Sequence, residues 1–196
     1  NQMYTCHISA FRTEVMRAVG GFRDEFEGAQ DWDLVLRVTE RARRVPLQHI
    51  TGTAAFGPLV LKVGPGVFIP RPETESMLEW AAAQRLPKSP LIIDLCTGSG
   101  ALAVALSRSH PNARVIAIDD DPVALDYARA NAARTGVDVL AGDAADPGLL
   151  SELDGTVDLV VANPPYIPAG SELDPEVADH DPSHALFGGP DGMAVI

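Results

Sequence analysis

Apolar runs alternate with helix-like segments along the second half of the chain. The runs at 91–93 and 115–118 are apolar at every position, which is typical of central parallel strands that are buried on both faces. The pattern predicts strands near 91–95, 114–119, 137–141 and 157–162, and helices near 101–109 and 122–134. Because parallel strands are joined by right-handed crossovers, this alternation predicts an open, doubly wound α/β sheet of the Rossmann type.

The first 90 residues follow a different pattern, with helices that give way to extended structure. Helices are predicted at 13–19, 31–38 and 75–84, and extended runs at 50–54 and 59–63. Gly20 and Gly21 suit the left-handed end of the first helix, and Gly57-Pro58 predicts a hairpin turn between the two extended runs. The predicted division is a helical segment at 1–44, a hairpin segment at 45–72 and a sheet domain at 73–196.

Charge and cysteine content narrow the function classes. The 196 residues carry 15 basic and 27 acidic side chains, a formal net charge of −12, which argues against a surface that clamps duplex nucleic acid. The two cysteines, Cys6 and Cys96, have no disulfide framework spacing, so a reducing cytoplasm is the expected compartment. The sequence has no signal peptide and no apolar run of membrane-spanning length, so no membrane association is expected.

A glycine-rich turn follows the first strand of the predicted sheet. Cys96, Thr97, Gly98, Ser99 and Gly100 lie between that strand and a helix, where backbone N–H groups can approach a ligand at the positive end of the helix. No Lys-Ser or Lys-Thr follows the glycines, and there is one glycine too few for the pyrophosphate fingerprint. The turn predicts a ligand that is not held by its phosphates; a tight turn without a ligand is the alternative.

Acidic residues follow the next two strands. Asp119 lies about 20 residues beyond the glycine turn, where an acid can bind ribose hydroxyls. Asp121 precedes Pro122 and reads as a helix N-cap. Asp143 follows the third strand and could accept a hydrogen bond from an adenine amine, although a surface loop acid is the alternative. His180 and His184 have a spacing that could chelate a metal on a helix, but Pro182 disfavours that helix, so both are interpreted as loop residues.

The fourth strand ends in Asn163-Pro164-Pro165-Tyr166. Proline has no N–H and a fixed φ, so the backbone carbonyls around Pro164 should lack strand partners. The carbonyls and the asparagine amide could accept two hydrogen bonds from a planar –NH2 group. The tyrosine ring could stack against the plane of that group. The cluster therefore predicts an amide or exocyclic amine substrate; an ordinary strand-ending turn is the alternative.

All four strand ends should meet at the carboxyl edge of one sheet, where open α/β folds bind ligands. Taken together, the chain from about residue 41 resembles class I S-adenosylmethionine-dependent methyltransferases, and more narrowly the glutamine methyltransferases that modify peptide chain release factors. The segments that carry this resemblance are 46–52, 68–75, 96–100, 163–167 and 185–192.

The resemblance implies transfer of a methyl group from S-adenosylmethionine to a glutamine side-chain amide of a release factor, without a metal. The residues that it implies for the cofactor are Phe68, Cys96, Thr97, Gly98, Ser99, Gly100, Asp119, Asp143, Ala144 and Asn163. Asn163, Pro164 and Tyr166 would be catalytic, and Pro165 would join them in binding the substrate. Arg71 would line the cofactor pocket or pair with a nearby acid.

Two departures from the family are expected. Residues 1–44 lack the family's N-terminal helical bundle and resemble the C-terminal part of a family-two glycosyltransferase, with Asp31 at the position of its acceptor-activating base. Only four of the usual seven strands are predicted, so the sheet is expected to be C-terminally truncated, with its fourth strand at an open edge. The alternatives are a nucleic-acid amino-methyltransferase, a non-catalytic cofactor-binding fragment and a glycosyltransferase remnant.

Overall fold

The computed structural model describes residues 13–21 and 30–196. The chain divides into two compact units, Asn1–Thr51 and Gly52–Ile196. No helix of the described residues is both long enough and apolar enough to cross a membrane.

The first unit contains helices α1 (Thr13–Ala18), α2 (Gln30–Ala42) and α3 (Leu47–Thr51). The end of α1 is held by Arg37, whose buried guanidinium donates to the carbonyls of Val19 and Gly21. A cation suits this position because the last carbonyls of a helix have no partner within it. The expected extended start near Ile50 is wrong, because Ile50 is the buried residue of α3. Of the glycosyltransferase-like positions, Phe22, Gly28, Ala29 and the side chain of Asp31 lie outside the described part of the chain.

The second unit begins with the predicted hairpin. Strands β1 (Thr53–Phe56) and β2 (Leu59–Lys62) pair antiparallel, with Thr53 opposite Lys62 and Phe56 opposite Leu59. Burial alternates along both strands, so that one face of the hairpin packs into the core and the other faces solvent. Helix α4 (Pro72–Ala82) follows and starts with proline at its first position, where a missing N–H costs nothing.

A four-stranded parallel sheet forms the centre of this unit, as predicted. Its strands are β3 (Leu91–Leu95), β4 (Arg114–Asp119), β5 (Asp138–Ala141) and β6 (Leu159–Ala162), in the order β5-β4-β3-β6. Helices α5 (Ala101–Ser109) and α6 (Pro122–Ala132) cross between β3, β4 and β5. A short helix, α7 (Pro175–Ala178), follows β6. Because β3 and β6 are parallel neighbours in this order, their carboxyl ends lie side by side at the same edge of the sheet.

The two faces of the sheet are covered differently. Ile92, Val115 and Leu159 belong to a large core that includes α4, α5 and the hairpin. Ile93 and the buried isoleucines of β4 face the other way and pack under leucines of the 149–153 segment. Within the described residues β6 pairs only with β3, and Val160 on it is 51% exposed.

Asn131 on α6 ties the hairpin to the glycine turn. Its side-chain oxygen accepts from Lys62 N at 2.7 Å, and its amide nitrogen donates to Lys62 O at 3.0 Å and to Ser99 O at 2.8 Å. One side chain thus fixes the edge of β2 and the turn after β3 with three hydrogen bonds. The position of the hairpin beside the turn therefore depends on a carboxamide at this position.

We expect Asn131→Ala to lower the free energy of unfolding by about 2 kcal/mol, because two backbone carbonyls and one N–H lose their partner. Urea unfolding and hydrogen exchange of the Lys62 amide would measure the change, with faster exchange expected at that amide. Asn112→Ala is the matched control, since Asn112 is exposed and no side-chain hydrogen bond is described for it. Unchanged exchange at Lys62 would contradict this account of the hairpin.

Candidate functional site

A cavity of about 230 Å³ lies at the carboxyl edge of the sheet, and we call it the strand-end cavity. A second cavity of about 330 Å³, the tyrosine cavity, is lined by Tyr166, Pro164 and Arg71 among others. The two cavities have Phe68, Asn163 and Ala185 in common. They therefore adjoin each other, with Asn163 on the wall of both.

Most of the residues predicted for the cofactor line the strand-end cavity. They are Phe68, Cys96, Thr97, Gly98, Ser99, Asp119, Asp143, Ala144 and Asn163. Gly100 does not line it. A Cβ at Gly100 would lie 3.3 Å from Ala128 Cα, so glycine here lets α5 approach α6 at a φ of 82°. The binding roles of all these residues stay predictions.

Asp94, which sequence reasoning missed as a site residue, holds the glycine turn in place. Its Oδ2 accepts from Thr97 Oγ1 at 2.6 Å and from Ala103 N at 3.0 Å, which joins the turn to the first turn of α5. Its Oδ1 has no partner, although Asp94 lines the cavity. Burial raises the pKa of Asp94 to about 7, against the hydrogen bonds from Thr97 and Ala103, which lower it. A buried carboxylate with a spare acceptor at a cavity wall suits a cationic ligand.

Asp119 fixes the other side of the turn. Its Oδ2 accepts from Gly98 N at 2.8 Å, and its Oδ1 accepts from Asp121 N at 3.1 Å. Burial raises the pKa of Asp119, and these two backbone hydrogen bonds lower it. Since a carboxylate oxygen has two lone pairs, each can also accept from a ligand hydroxyl. The arrangement permits the predicted ribose contact and gives Asp119 a structural task as well.

Cys96 is a wall residue and not a nucleophile. Burial, as the largest cause, and the negative charges of Asp119, Asp120, Asp94 and Asp143 together raise the pKa of its thiol to about 12. The thiol therefore stays protonated near neutral pH, and the thiolate is the reactive form. Its φ of 54° lies in the left-handed region, where glycine would be less strained.

The charge of the strand-end cavity is negative. Four aspartates line it, Asp94, Asp119, Asp120 and Asp143, and no lysine or arginine of the described residues does. Phosphate groups are bound in proteins by cationic side chains or by helix N-termini with a cradling loop. A ligand with positive charge and nucleoside character therefore fits better than one with phosphates.

The Asn163-Pro164-Pro165-Tyr166 cluster lies where the two cavities adjoin. Pro165 lines the strand-end cavity, and Pro164 and Tyr166 line the tyrosine cavity. In the described part of the chain no backbone N–H donates to the Pro164 carbonyl. The Tyr166 side chain is exposed at 60%, so the tyrosine cavity is open to a large partner. The cluster can thus present free acceptors to a group held between the cavities.

The segment 186–192 packs against the backbone of this cluster and of the residue that follows it. Ile167 N donates to Leu186 O at 2.9 Å, and Gly188 N donates to Ile167 O at 3.0 Å. A Cβ at Gly188 would lie 2.3 Å from Pro165 O, and one at Gly192 would lie 2.3 Å from Tyr166 O. Glycine at both positions lets the segment pack directly on the carbonyls of the cluster. Spacing along the sequence could not reveal this contact, since it forms only after folding.

An open parallel sheet whose strand ends carry a glycine turn, a ribose-positioned acid and an Asn-Pro-Pro-Tyr cluster defines a class I methyltransferase fold. The chain belongs to the family described as "Methyltransferase small domain", whose model matches residues 74–180. This match confirms the methyltransferase part of the resemblance that the sequence motifs indicated.

Curated relatives match a larger part of the chain. The release factor glutamine methyltransferase of Mycolicibacterium smegmatis is 73% identical over 81% of this chain and 57% of its own length. That of Mycobacterium tuberculosis (strain H37Rv) is 66% identical over 81% of this chain and 54% of its own length. The 4-amino-L-phenylalanine/4-methylamino-L-phenylalanine methyltransferase of Streptomyces pristinaespiralis is 45% identical over 81% of this chain and 56% of its own length. The chain thus spans somewhat more than half the length of the curated relatives that it matches.

The buried carboxyl of Asp94 should make stability depend on pH. The folded pKa is raised from 3.8 to about 7, so the folded protein holds an extra proton between these values and loses stability as pH rises through them. We expect the free energy of unfolding of the unaltered protein to fall by about 4 kcal/mol relative to Asp94→Asn between about pH 4 and pH 7.

Urea titrations of both proteins across this range would measure the difference. Asp126→Asn, which changes an exposed carboxylate, is the control. A constant difference between the unaltered protein and Asp94→Asn at every pH would contradict the prediction.

A Cβ at position 188 should disturb the cluster in front of it. We expect Gly188→Ala to lower the free energy of unfolding by about 1–3 kcal/mol, because the methyl group cannot fit against Pro165 O without a backbone shift. The Ile167 amide should exchange faster because its bond to Leu186 O is displaced. Gly148→Ala in an exposed loop is the control, where the nearest atom is a side-chain oxygen of Asp146 at 3.3 Å. Equal exchange at Ile167 in both variants would refute the steric argument.

Proposed function

We propose that this chain carries the donor and acceptor sites of an S-adenosylmethionine-dependent methyltransferase that methylates a glutamine side-chain amide of peptide chain release factors. The observation that carries the proposal is the position of Asn163, which lines both cavities and lies next to the free carbonyl of Pro164. A methyl donor in one cavity and a planar amide in the other would meet there.

The strand-end cavity fits the donor on its own chemistry. Its acidic lining and the unpartnered Asp94 Oδ1 suit a ligand that carries an ammonium and a sulfonium group. Asp119 and Asp143 are placed at strand ends for ribose and adenine, and Phe68 offers an aromatic wall. When bound, S-adenosylmethionine supplies an electrophilic methyl carbon.

The asparagine and proline carbonyls provide what an amide acceptor needs. An amide nitrogen is a poor nucleophile because its lone pair is delocalised into the carbonyl. Asn163 Oδ1 and the Pro164 carbonyl accept the two N–H hydrogens, which holds the nitrogen in place and favours its pyramidal form. Tyr166 packs against the amide plane. The amide nitrogen that receives the methyl group becomes more acidic as the C–N bond forms. It therefore loses a proton to water without a strong base.

A release factor as the partner is supported by the names of the relatives at 73% and 66% identity. The tyrosine cavity is open and carries apolar side chains of Leu173, Val177 and Leu186, which suits a glutamine presented on a protein loop. The net charge of −12 disfavours a nucleic-acid substrate. With a release factor as substrate, the activity belongs in the cytoplasm.

An aromatic amine is the second candidate acceptor. The relative from Streptomyces pristinaespiralis is named for methylation of 4-amino-L-phenylalanine and is 45% identical over 81% of this chain. An aniline –NH2 presents two N–H hydrogens in a plane, as an amide does, so Asn163 and Pro164 could accept from either. The two candidates differ in the size and charge of the rest of the substrate.

We expect the chain to transfer a labelled methyl group to a release-factor peptide that contains glutamine, and not to the same peptide with glutamate in its place. In Asn163→Ala the kcat should fall by about 10²–10³-fold, because one of the two acceptors is lost. Calorimetric affinity for S-adenosylmethionine should change much less. Asn112→Ala is the exposed control, and the full-length relative from Mycolicibacterium smegmatis with the matching substitution is the reference.

Each alternative function predicts a different result in this assay. Transfer only to 4-amino-L-phenylalanine would favour the second candidate, and transfer only to an adenine-containing oligonucleotide would favour a nucleic-acid enzyme. Donor binding without transfer by this chain, while the full-length relative is active, would favour a binding fragment. Full transfer by Asn163→Ala would refute the proposed role of the carboxamide.

A further inference from the structure

The segment 181–187 forms a wall of both cavities, although only a single 3-10 turn, Ser183–Ala185, gives it regular structure. Pro182, His184 and Phe187 line the strand-end cavity, and Leu186 lines the tyrosine cavity. Ala185 lines both. A ligand in either cavity would therefore touch this segment, and what holds the segment in place controls the wall.

An ion pair anchors the start of the segment. The Arg71 guanidinium binds Asp181 Oδ2, and the Asp181 side chain is only 1% exposed. The guanidinium also lies over the Phe68 ring, 5.0 Å from its centroid. Because Phe68 lines both cavities, this anchor joins the segment to the wall that the residues before α4 provide. The two partners are 110 positions apart in the sequence.

A second polar contact anchors the segment to the start of α6. His184 Nε2 binds Asp121 Oδ2. Asp121 is the N-cap of α6, and its other oxygen accepts from Val123 N at 2.6 Å and from Ala124 N at 3.3 Å. The carboxylate thus has one oxygen for the helix and one for the histidine. Asp121 directly follows Asp119 and Asp120, which line the strand-end cavity.

We propose that residues 181–184 are a clasp that retains the methyl donor, with Asp181 and His184 as its two anchors. The inference rests on the proposed function and deepens it. The anchors attach to two different elements, α4 through Arg71 and α6 through Asp121, so the clasp spans the cavity between them. Donor release requires at least one anchor to open. Asp181 is a positioning residue, because it lines neither cavity and acts through the wall that it holds, whereas His184 lines the strand-end cavity and Arg71 lines the tyrosine cavity.

The test measures donor release separately from chemistry. The rate of dissociation of S-adenosylmethionine is followed by stopped-flow displacement with excess S-adenosylhomocysteine, and kcat is measured at saturating donor. Asp181→Asn keeps the shape of the side chain but removes the charge, and we expect dissociation to accelerate about tenfold. His184→Gln should accelerate it about threefold, because that pair is half-exposed. The kcat of Asp181→Asn at saturating donor should stay within about twofold, since Asp181 lines neither cavity.

Exposed residues of the same type provide controls. Asp179→Asn alters an exposed carboxylate two positions before Asp181, and Asp126→Asn alters an exposed carboxylate on α6. Both should leave dissociation unchanged. The unfolding midpoint without donor shows whether a variant is merely less stable, and His184→Gln keeps the test available if Asp181→Asn does not fold.

The outcomes separate the clasp from the proposed function. Faster dissociation in the two anchor variants, with unchanged kcat in Asp181→Asn and unchanged controls, supports the clasp. Unaltered dissociation in both anchor variants overturns the clasp while the methyltransferase proposal stands. A fall in kcat at saturating donor with unchanged dissociation overturns it too. Failure of the unaltered chain to bind S-adenosylmethionine overturns both proposals.

Discussion

The site depends on the interaction of one buried carboxylate with the turn that follows its strand. Asp94 binds the Thr97 hydroxyl and the Ala103 N–H with the same oxygen, which fixes a turn containing three residues at positive φ. The N–H groups of Thr97, Gly98 and Gly100 donate to acceptors within the protein, and among the described residues the carboxylate keeps its second oxygen without a partner. The cost of this buried group appears as its raised pKa. Without it, the start of α5 and the wall of the strand-end cavity would lose their common anchor.

The strand ends line different parts of the two adjoining cavities. The ends of β3, β4 and β5 surround one cavity with acids and a glycine turn, whereas the end of β6 lies between that cavity and the next. A sheet edge can do this because parallel strands all end on the same side. Asn163 is the side chain of the cluster that both cavities reach. In the proposed reaction, neighbouring elements that share Asn163 would therefore hold the donor and the acceptor.

The sequence predicted those features that depend on local pattern. Strand ends at Leu95, Asp119 and Ala162 follow from continuous apolar runs, and the Asp121 cap follows from its proline. The short helix at 47–51 was missed because five mixed residues have too little periodicity to identify it. Asp94 was missed because its burial depends on packing against α5. Likewise, the contact of Gly188 with Pro165 joins distant positions, which a local pattern does not encode. The alternative that Arg71 pairs with an acid is confirmed, and the structure identifies that acid as Asp181.

The thiol of Cys96 has a consequence for oxidative stress. The thiolate form of a cysteine attacks a peroxide oxygen, and the first product is a sulfenic acid. With a pKa of about 12, this thiol offers almost no thiolate at neutral pH, and the aspartates around it also repel approaching anions. A cysteine on the wall of the strand-end cavity is therefore protected from peroxide, because its surroundings keep the thiol protonated.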